Sequence, residues 1–413
     1  MIYNIGISCY GLLICIASIF STKASKRLVG GRRALKFLRN HIDPKARYIW
    51  VHVASLGEFE QGRPLIEEIR RQFPSVKILL TFFSPSGYEV QKKYPNADII
   101  CYLPLDLPHK ARAFLSIVNP VKAIFVKYEF WANYLYALER KGIPAYLVSS
   151  IFRPKQIFFR KYGGFFRKLL DRFQLICVQD ESSKALLESI GKTNVLVSGD
   201  TRFDRVVDIA QSTKKLTVVE AFAQNAHVLV AGSTWQHDEE LLVRFINNNH
   251  EYKMIIVPHE PTKEHVERLC GGLRRSFVLY TKTNSTEAHT ADCLVVDTVG
   301  LLSSIYRYGQ VAYVGGGFGA GIHNTLEAAV WGIPVLFGHN YQRFREAHGL
   351  IACSAAMSVN TYRQLETSVN FLFNTPEAGA RAALYVKTHT GATDIIIKHV
   401  FADLQTEFEI EAN

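Results

Sequence analysis

The sequence predicts an α/β protein of two doubly wound parallel-sheet domains, and three observations carry that prediction. The chain is 413 residues long, beyond the roughly 250–300 residues at which a single hydrophobic core stops growing. Short, continuously apolar runs rich in β-branched residues alternate with amphipathic stretches, as in parallel strands covered by helices on both faces. The rhythm is interrupted once, by the polar stretch "FDRVVDIAQSTKKL" (203–216), and then resumes. A composition of 48% hydrophobic and 21% charged residues is ordinary globular usage and excludes broad disorder.

Taken in order, the chain opens with the uncharged stretch "MIYNIGISCYGLLICIASIFST". About 20 apolar residues can cross a bilayer core. The positive charges follow this stretch, whereas a cleaved signal peptide carries them in front. That order predicts an uncleaved N-terminal membrane anchor helix over 1–24, with the body left in the cytoplasm; a helix lying in the interface is the alternative. The first series of strands is expected at 48–54, 76–82, 97–103, 121–127, 145–150, 175–179 and 194–199, and the second at 226–233, 252–258, 277–281, 293–297, 310–316 and 333–338. Residues 25–205 and 206–413 are the expected domains, the second carrying the C-terminal helices. No repeat or low-complexity segment is visible.

The net charge of +11 points to an anionic partner: nucleic acid, a membrane surface or a phosphorylated substrate. Lys23, Lys26, Arg27, Arg32, Arg33, Lys36 and Arg39 supply 7 of those charges in one run directly after the apolar stretch, which favours a membrane surface. Seven cysteines, Cys9, Cys15, Cys101, Cys177, Cys270, Cys293 and Cys353, form no CxxC pair. Free thiols in a reducing compartment explain them better than a disulfide framework or a zinc site.

Open parallel sheets bind ligands at the carboxyl ends of their strands, so chemistry is sought just after each run. In "ASLGEFEQGRPLIEEI" the helical pattern is expected to start after Gly62, leaving Glu58 on the strand-to-helix loop, either as a helix-start acid or as a base. Glu60 reads as an ordinary first-turn acid. In "VKYEFWANY" (126–134) Glu129 sits among Tyr128, Phe130 and Trp131, where an unpaired carboxylate is costly to ionise. In "SGDTRFDRV" (198–206) Arg202 is either a ligand-facing cation or a solvated linker charge. In "VPHEPTKEH" (257–265) Pro258 and His259 either line a slot for a base or form a plain turn.

The stretch "GGGFGAGIHNTLEAAVWG" (315–332) follows a strand, and its glycines would let backbone N–H groups approach an anion beside a helix N-terminus. Asn324 and Glu327 fall on one face of that helix, Glu327 either accepting ribose hydroxyls or complementing the helix dipole. Gly315-x-Gly317-x-x-Ala320 nearly matches a dinucleotide fingerprint. It comes late in the chain, however, and the next strand ends without an acid, which argues against a dehydrogenase.

Seven segments occur together and in order: "WVHVASLGE", "YLPLDLP", "YEFWAN", "GDTRFD", "AGSTW", "VDTVGLL" and "GGGFGAGIHNTLE". Through them the chain resembles, over nearly its whole length, the 3-deoxy-D-manno-oct-2-ulosonic acid (Kdo) transferases of lipopolysaccharide biosynthesis. The resemblance implies the GT-B fold, two facing Rossmann-like domains, with the first binding the acceptor and the second the CMP-sugar. It implies an inverting, metal-independent glycosyltransferase with no cofactor, which moves Kdo from CMP-Kdo to a lipid A precursor (lipid IVA). By the resemblance Glu58 is the general base, and Glu129 and Arg202 stabilise the transition state. Donor contacts fall on Ser55, Pro258, His259, Val299, Gly300, Leu301, Gly317, Asn324, Thr325, Leu326 and Glu327. The chain departs from the family pattern at Ala132 (a proline there), Arg202 (a lysine), "PHEP" (Pro-Arg-His-Pro) and Leu301 (a glutamate). Two rivals stand beside this reading. One is another GT-B enzyme using a UDP-sugar and a membrane lipid, and the other is a non-enzymatic lipid-binding protein of the same fold.

Overall fold

The computed structural model describes residues 2–213 and 215–404. It forms two compact units, each a seven-stranded parallel sheet flanked by helices. In the first unit the strands are β1 (Tyr48–Val53), β2 (Lys77–Phe82), β3 (Ile99–Tyr102), β4 (Lys122–Val126), β5 (Ala145–Ser150), β6 (Leu175–Val178) and β7 (Val195–Val197). Their order is β3-β2-β1-β4-β5-β6-β7. Side chains alternate across β1, so Trp50 joins one apolar layer with Phe114 and Phe125, while Ile49, Val51 and Val53 join the other with Phe59 and Ile66. Both faces are covered, which is why these strands read as uninterrupted apolar runs.

The second unit, Val206–His389, contains β8 (His227–Thr234), β9 (Tyr252–Pro258), β10 (Phe277–Leu279), β11 (Cys293–Val295), β12 (Val311–Val314), β13 (Val335–Gly338) and β14 (Ala356–Val359). Their order is β10-β11-β9-β8-β12-β13-β14. The edge strand β14 falls outside the predicted runs, because four residues including Met357 and Ser358 give too short and too weak a pattern.

In each sheet the chain moves first to one side and then to the other. The reversal lies between β1 and β4 in the first unit and between β8 and β12 in the second. Such a switch point splays the following loops apart and opens a crevice at the carboxyl ends of the two strands.

The structure differs from three expectations. The anchor helix expected over 1–24 is not evident: no described helix is long and apolar enough to cross a membrane. Helix α1 covers only Ile2–Ala17, and after a short break α2 (Thr22–His41) starts from Ser21, whose hydroxyl accepts the Ala24 N–H. The polar residues of α1 are used for docking. The Tyr3 hydroxyl donates to Asp106 Oδ2 at 2.6 Å, and Asn133 Nδ2 donates to Asn4 Oδ1 at 2.9 Å.

The second correction concerns the C-terminus: the described residues from Thr390 onward belong to the first unit, not to a second domain spanning 206–413. Ile396, Ile397, Val400 and Phe401 share one apolar cluster with Val51, Phe59 and Ile66. Asp204 accepts the backbone N–H groups of Gly391 at 2.6 Å and Thr393 at 2.7 Å, and Lys122 Nζ donates to Asp403 at 2.7 Å. Burying four large apolar side chains outweighs the small entropic cost of closing so long a loop.

Third, α3 begins at Leu56, ahead of Gly62, and runs to Gln72. Gly62 and Pro64, which read as a helix start, lie inside it. A Cβ on Gly62 would stand 3.2 Å from Val126 Cγ2 and 3.4 Å from Val53 Cγ1, so the glycine lets the helix settle closely on the sheet.

Candidate active site

The end of β1 leads directly into α3. Ser55 is the N-cap, in extended conformation and with no capping bond from its hydroxyl, and Glu58 is the third residue of the helix. Its carboxylate turns back, and Oε2 accepts the Ala54 N–H at 2.5 Å. That bond is what a helix-start acid makes. The surroundings add what a simple cap lacks. Burial, followed by the negative charge of Glu129, pushes the Glu58 carboxyl up to about 7, against the opposing pull of the Ala54 N–H and Lys127. A carboxylate so tuned can accept a proton near neutrality. Capping geometry and base character therefore coexist in one side chain. Glu60, by contrast, lies 3.7 Å from Arg205 in an ion pair.

Glu129 follows β4, across the switch point. It is buried, and its partners are a ring nitrogen and an indole: His52 Nε2 at 3.1 Å and Trp131 Nε1 at 2.5 Å from Oε2. His52 itself is fully buried on β1, in register with Thr81 on β2 and Phe125 on β4. Its Nδ1 lies 2.8 Å from Thr81 Oγ1 and 3.1 Å from the Thr81 carbonyl. Nδ1 therefore faces Thr81 and Nε2 faces Glu129, and the ring links the two whichever nitrogen carries the hydrogen. His52 was not singled out in the sequence because its spacing is that of any inward-facing strand residue. Its polarity inside the run "YIWVHVA" was the one available signal.

Lys127, between β4 and Glu129, has φ +69°, a left-handed conformation rare for a residue with a side chain. Glu129 opens on a cavity of about 470 Å³ whose lining includes Tyr3, Tyr128, Phe130, Trp131 and Phe158.

Arg202 is the second residue of the helix Thr201–Ser212. Its guanidinium forks onto Asp200 Oδ2, with Nε at 2.9 Å and Nη2 at 2.7 Å. Asp200 was not among the predicted residues. Glu58 and Glu129 thus come together at one switch point, and Arg202 is held by its own carboxylate.

In the second unit, the loops after β8, β9 and β12 meet. His259 continues the β9 ladder by donating its N–H to the Thr234 carbonyl at 3.0 Å, and Pro258 is the buried last residue of that strand. The His259 ring stacks on His323 with centroids 4.2 Å apart, and Trp235 lies 4.9 Å from His259. Trp235 Nε1 donates to His323 Nε2 at 3.0 Å. An indole nitrogen only donates, so His323 carries its hydrogen on Nδ1. Burial, and then the neighbouring His259, hold its pKa down at about 4. The ring is therefore neutral at physiological pH. Trp235 and His323 lie within the quoted motifs but were not singled out, since neither spacing nor charge marks a residue that acts by stacking.

The glycine loop is narrower in purpose than its sequence implies. Gly317 packs on Gly338, where a Cβ would come within 2.5 Å of the Gly338 nitrogen, so backbone packing occupies it. The following helix, Leu326–Ala329, is a single turn and brings little macrodipole. Thr325 and Leu326 are fully buried. Asn324 Oδ1 accepts the Leu326 N–H at 3.1 Å, its Nδ2 donates to Glu327 Oε1 at 3.2 Å, and Ser303 Oγ donates to Glu327 Oε2 at 2.5 Å. Through Ser303, which sequence reading missed, the 299–301 turn and the Asn324–Glu327 segment become one surface. Val299 is 73% exposed at its tip, Gly300 has φ +87°, and Leu301 caps the short helix Leu302–Ile305.

Comparison with known proteins bears on the family and the fold. A family model described as 3-deoxy-D-manno-octulosonic-acid transferase (kdotransferase) matches residues 29–205. The chain is 30% identical over 297 residues to the 3-deoxy-D-manno-octulosonic acid transferase of Aquifex aeolicus, covering 70% of this chain and 75% of that one. It is 24% identical over 386 residues to the same-named protein of Haemophilus influenzae, covering 90% of each. Among solved structures, the UDP-GlcNAc 2-epimerase of Neisseria meningitidis superposes with a TM-score of 0.62 over 86% of this chain and all of that one. At 15% identity that likeness shows the shared two-sheet fold alone. The chain belongs to the Kdo transferase family and is a glycosyltransferase of lipopolysaccharide biosynthesis.

Proposed function

We propose that this glycosyltransferase moves Kdo from CMP-Kdo to a lipid A precursor, lipid IVA, with inversion at the transferred carbon and without a metal. The observation that carries the reading is Glu58, a carboxyl tuned to about 7 at the β1–β4 switch point. An acceptor hydroxyl gives its proton to Glu58 as its oxygen bonds the Kdo anomeric carbon. On the opposite face the bond to the CMP phosphate breaks and the electron pair leaves with CMP. Glu129, oriented by His52 and Trp131, places negative charge where an oxocarbenium-like centre develops. Arg202 supplies positive charge for the leaving phosphate. Ser55 and the Pro258–His259, Val299–Leu301 and Asn324–Glu327 segments hold the donor, with Gly317 shaping the loop.

The acceptor is presented from a membrane surface, at the cytoplasmic face of the inner membrane. Ile5, Leu12, Leu13 and Ile16 of α1 are half or more exposed, beside the basic run of α2. A short helix with such a face lies in the interface and does not span it.

Mass spectrometry of lipid IVA after incubation with the protein and CMP-Kdo tests the reading. A product heavier by whole Kdo residues is expected. A product formed with a UDP-sugar and none with CMP-Kdo overturns it.

A further inference from the structure

A second cavity of the first unit, of about 250 Å³, lies between α1, α2 and the segment Leu105–Lys110. Its cationic lining is Arg27, Arg32 and Lys110, its apolar lining includes Gly11, Ile14 and Leu28, and it contains no acidic side chain.

Arg27 is 6% exposed and is stacked 4.0 Å over the Phe83 ring. Its Nη2 donates to the Leu103 carbonyl at 2.9 Å, and its Nε is buried with no hydrogen-bond partner. Gly31 makes the room, because a Cβ there would sit 2.4 Å from Arg27 Nη1. A buried guanidinium without a carboxylate is costly, and aromatic stacking offsets only part of that cost. Arg32 Nη2 reaches no further than Cys15 Sγ at 3.4 Å. Lys110 feels the crowding: burial, then Arg27 and Arg32, lower its pKa. Three converging cations with no anion among them form a site that lacks its counter-charge.

We propose that this cavity binds a phosphomonoester carried on an acylated lipid, with Arg27 at its floor and Arg32 and Lys110 at its mouth. The inference rests on the reading that the acceptor is a membrane lipid. The lipid source follows from the walls. Gly11 and Ile14 belong to the same helix whose Leu12, Leu13 and Ile16 are exposed, so a chain attached to the phosphate continues along an apolar surface. A compact dianion suits several point charges and forked donors better than a diester.

The test is binding of the full chain to phosphatidylcholine vesicles doped with phosphatidic acid, a monoester, or phosphatidylglycerol, a diester. Lys110→Gln is expected to weaken binding to the monoester vesicles about tenfold, the effect of one charge-assisted hydrogen bond. Arg39→Gln, which removes an exposed charge of the same run, should weaken it by about twofold or less. Equal losses in the two variants, or equal losses on both lipids, would overturn the site in favour of general surface attraction. Inorganic phosphate is expected to compete poorly, and competition as strong as that of the lipid overturns the lipid assignment.

Kinetics separate this site from the proposed function. Transfer of Kdo with an unchanged acceptor KM in Lys110→Gln sinks the site and leaves the function standing. Monoester binding without any Kdo transfer by the wild-type protein does the reverse.

Discussion

The two switch points of this molecule have the same geometry and opposite chemistry. At β1–β4, two carboxylates converge, one half-buried and pushed to about 7, the other buried against an imidazole and an indole. At β8–β12 the corresponding groups are rings: a Trp235–His259–His323 stack in which burial and the neighbouring His259 keep the His323 imidazole unprotonated. The carboxylate there, Glu327, is engaged by Asn324 and Ser303. One crevice sets a carboxyl raised to about 7 beside a second acid, and the other stacks an indole and two imidazoles. Under the proposed function the first unit carries the reaction and the second the grip, although each sheet has a switch point of its own.

The comparison breaks most directly at Glu58. Glu58→Gln is expected to lower kcat by about 10²–10⁴ while CMP affinity, measured by calorimetry, stays within a few-fold. Near-normal turnover would move the base elsewhere. In the wild-type protein kcat/KM should rise with pH through a midpoint near 7, because the base must be ionised. Glu129→Gln then sharpens the contrast. Removing its negative charge should move that midpoint to lower pH by roughly one unit, and an unmoved midpoint would mean that the two acids do not sense each other.

On the gripping side, Glu327→Ala should weaken CMP binding about tenfold with little effect on the pH midpoint. Unchanged affinity would return Glu327 to a purely capping role. The smallest effect expected is on stability. The folded state holds the Glu58 proton more tightly than the unfolded chain does, so ionising Glu58 costs stability as pH rises from the ordinary carboxylate range through about 7. Glu58→Gln should therefore raise Tm above neutral pH, by about 1 kcal/mol or more in stability, with the gain vanishing near pH 4. A gain independent of pH would remove the link to Glu58 ionisation.

Much of this was legible without coordinates. Thirteen of the fourteen strands were expected from apolar runs, because strands buried on both faces must be apolar throughout. Glu58 and Glu129 stood out because each follows such a run directly. Other features depended on partners far away in sequence. His52 looks like any inward strand residue until register sets Thr81 beside it and the switch point brings Glu129 over it. Asp200 and Ser303 matter only through Arg202 and Glu327.

Local pattern by itself determined the fold class, the strand positions and the two catalytic-looking acids, because side-chain periodicity and burial are set by neighbours in sequence. Tertiary structure alone decided that the N-terminal apolar stretch docks as a short helix, that the C-terminal helix returns to the first unit, and that the Glu58 carboxyl both caps a helix and is raised to about 7. Each of those outcomes turns on burial against residues distant in the chain. Whether a carboxyl near a helix start is an ordinary acid or one tuned to about 7 depends on the solvent removed and the charge brought near by the fold.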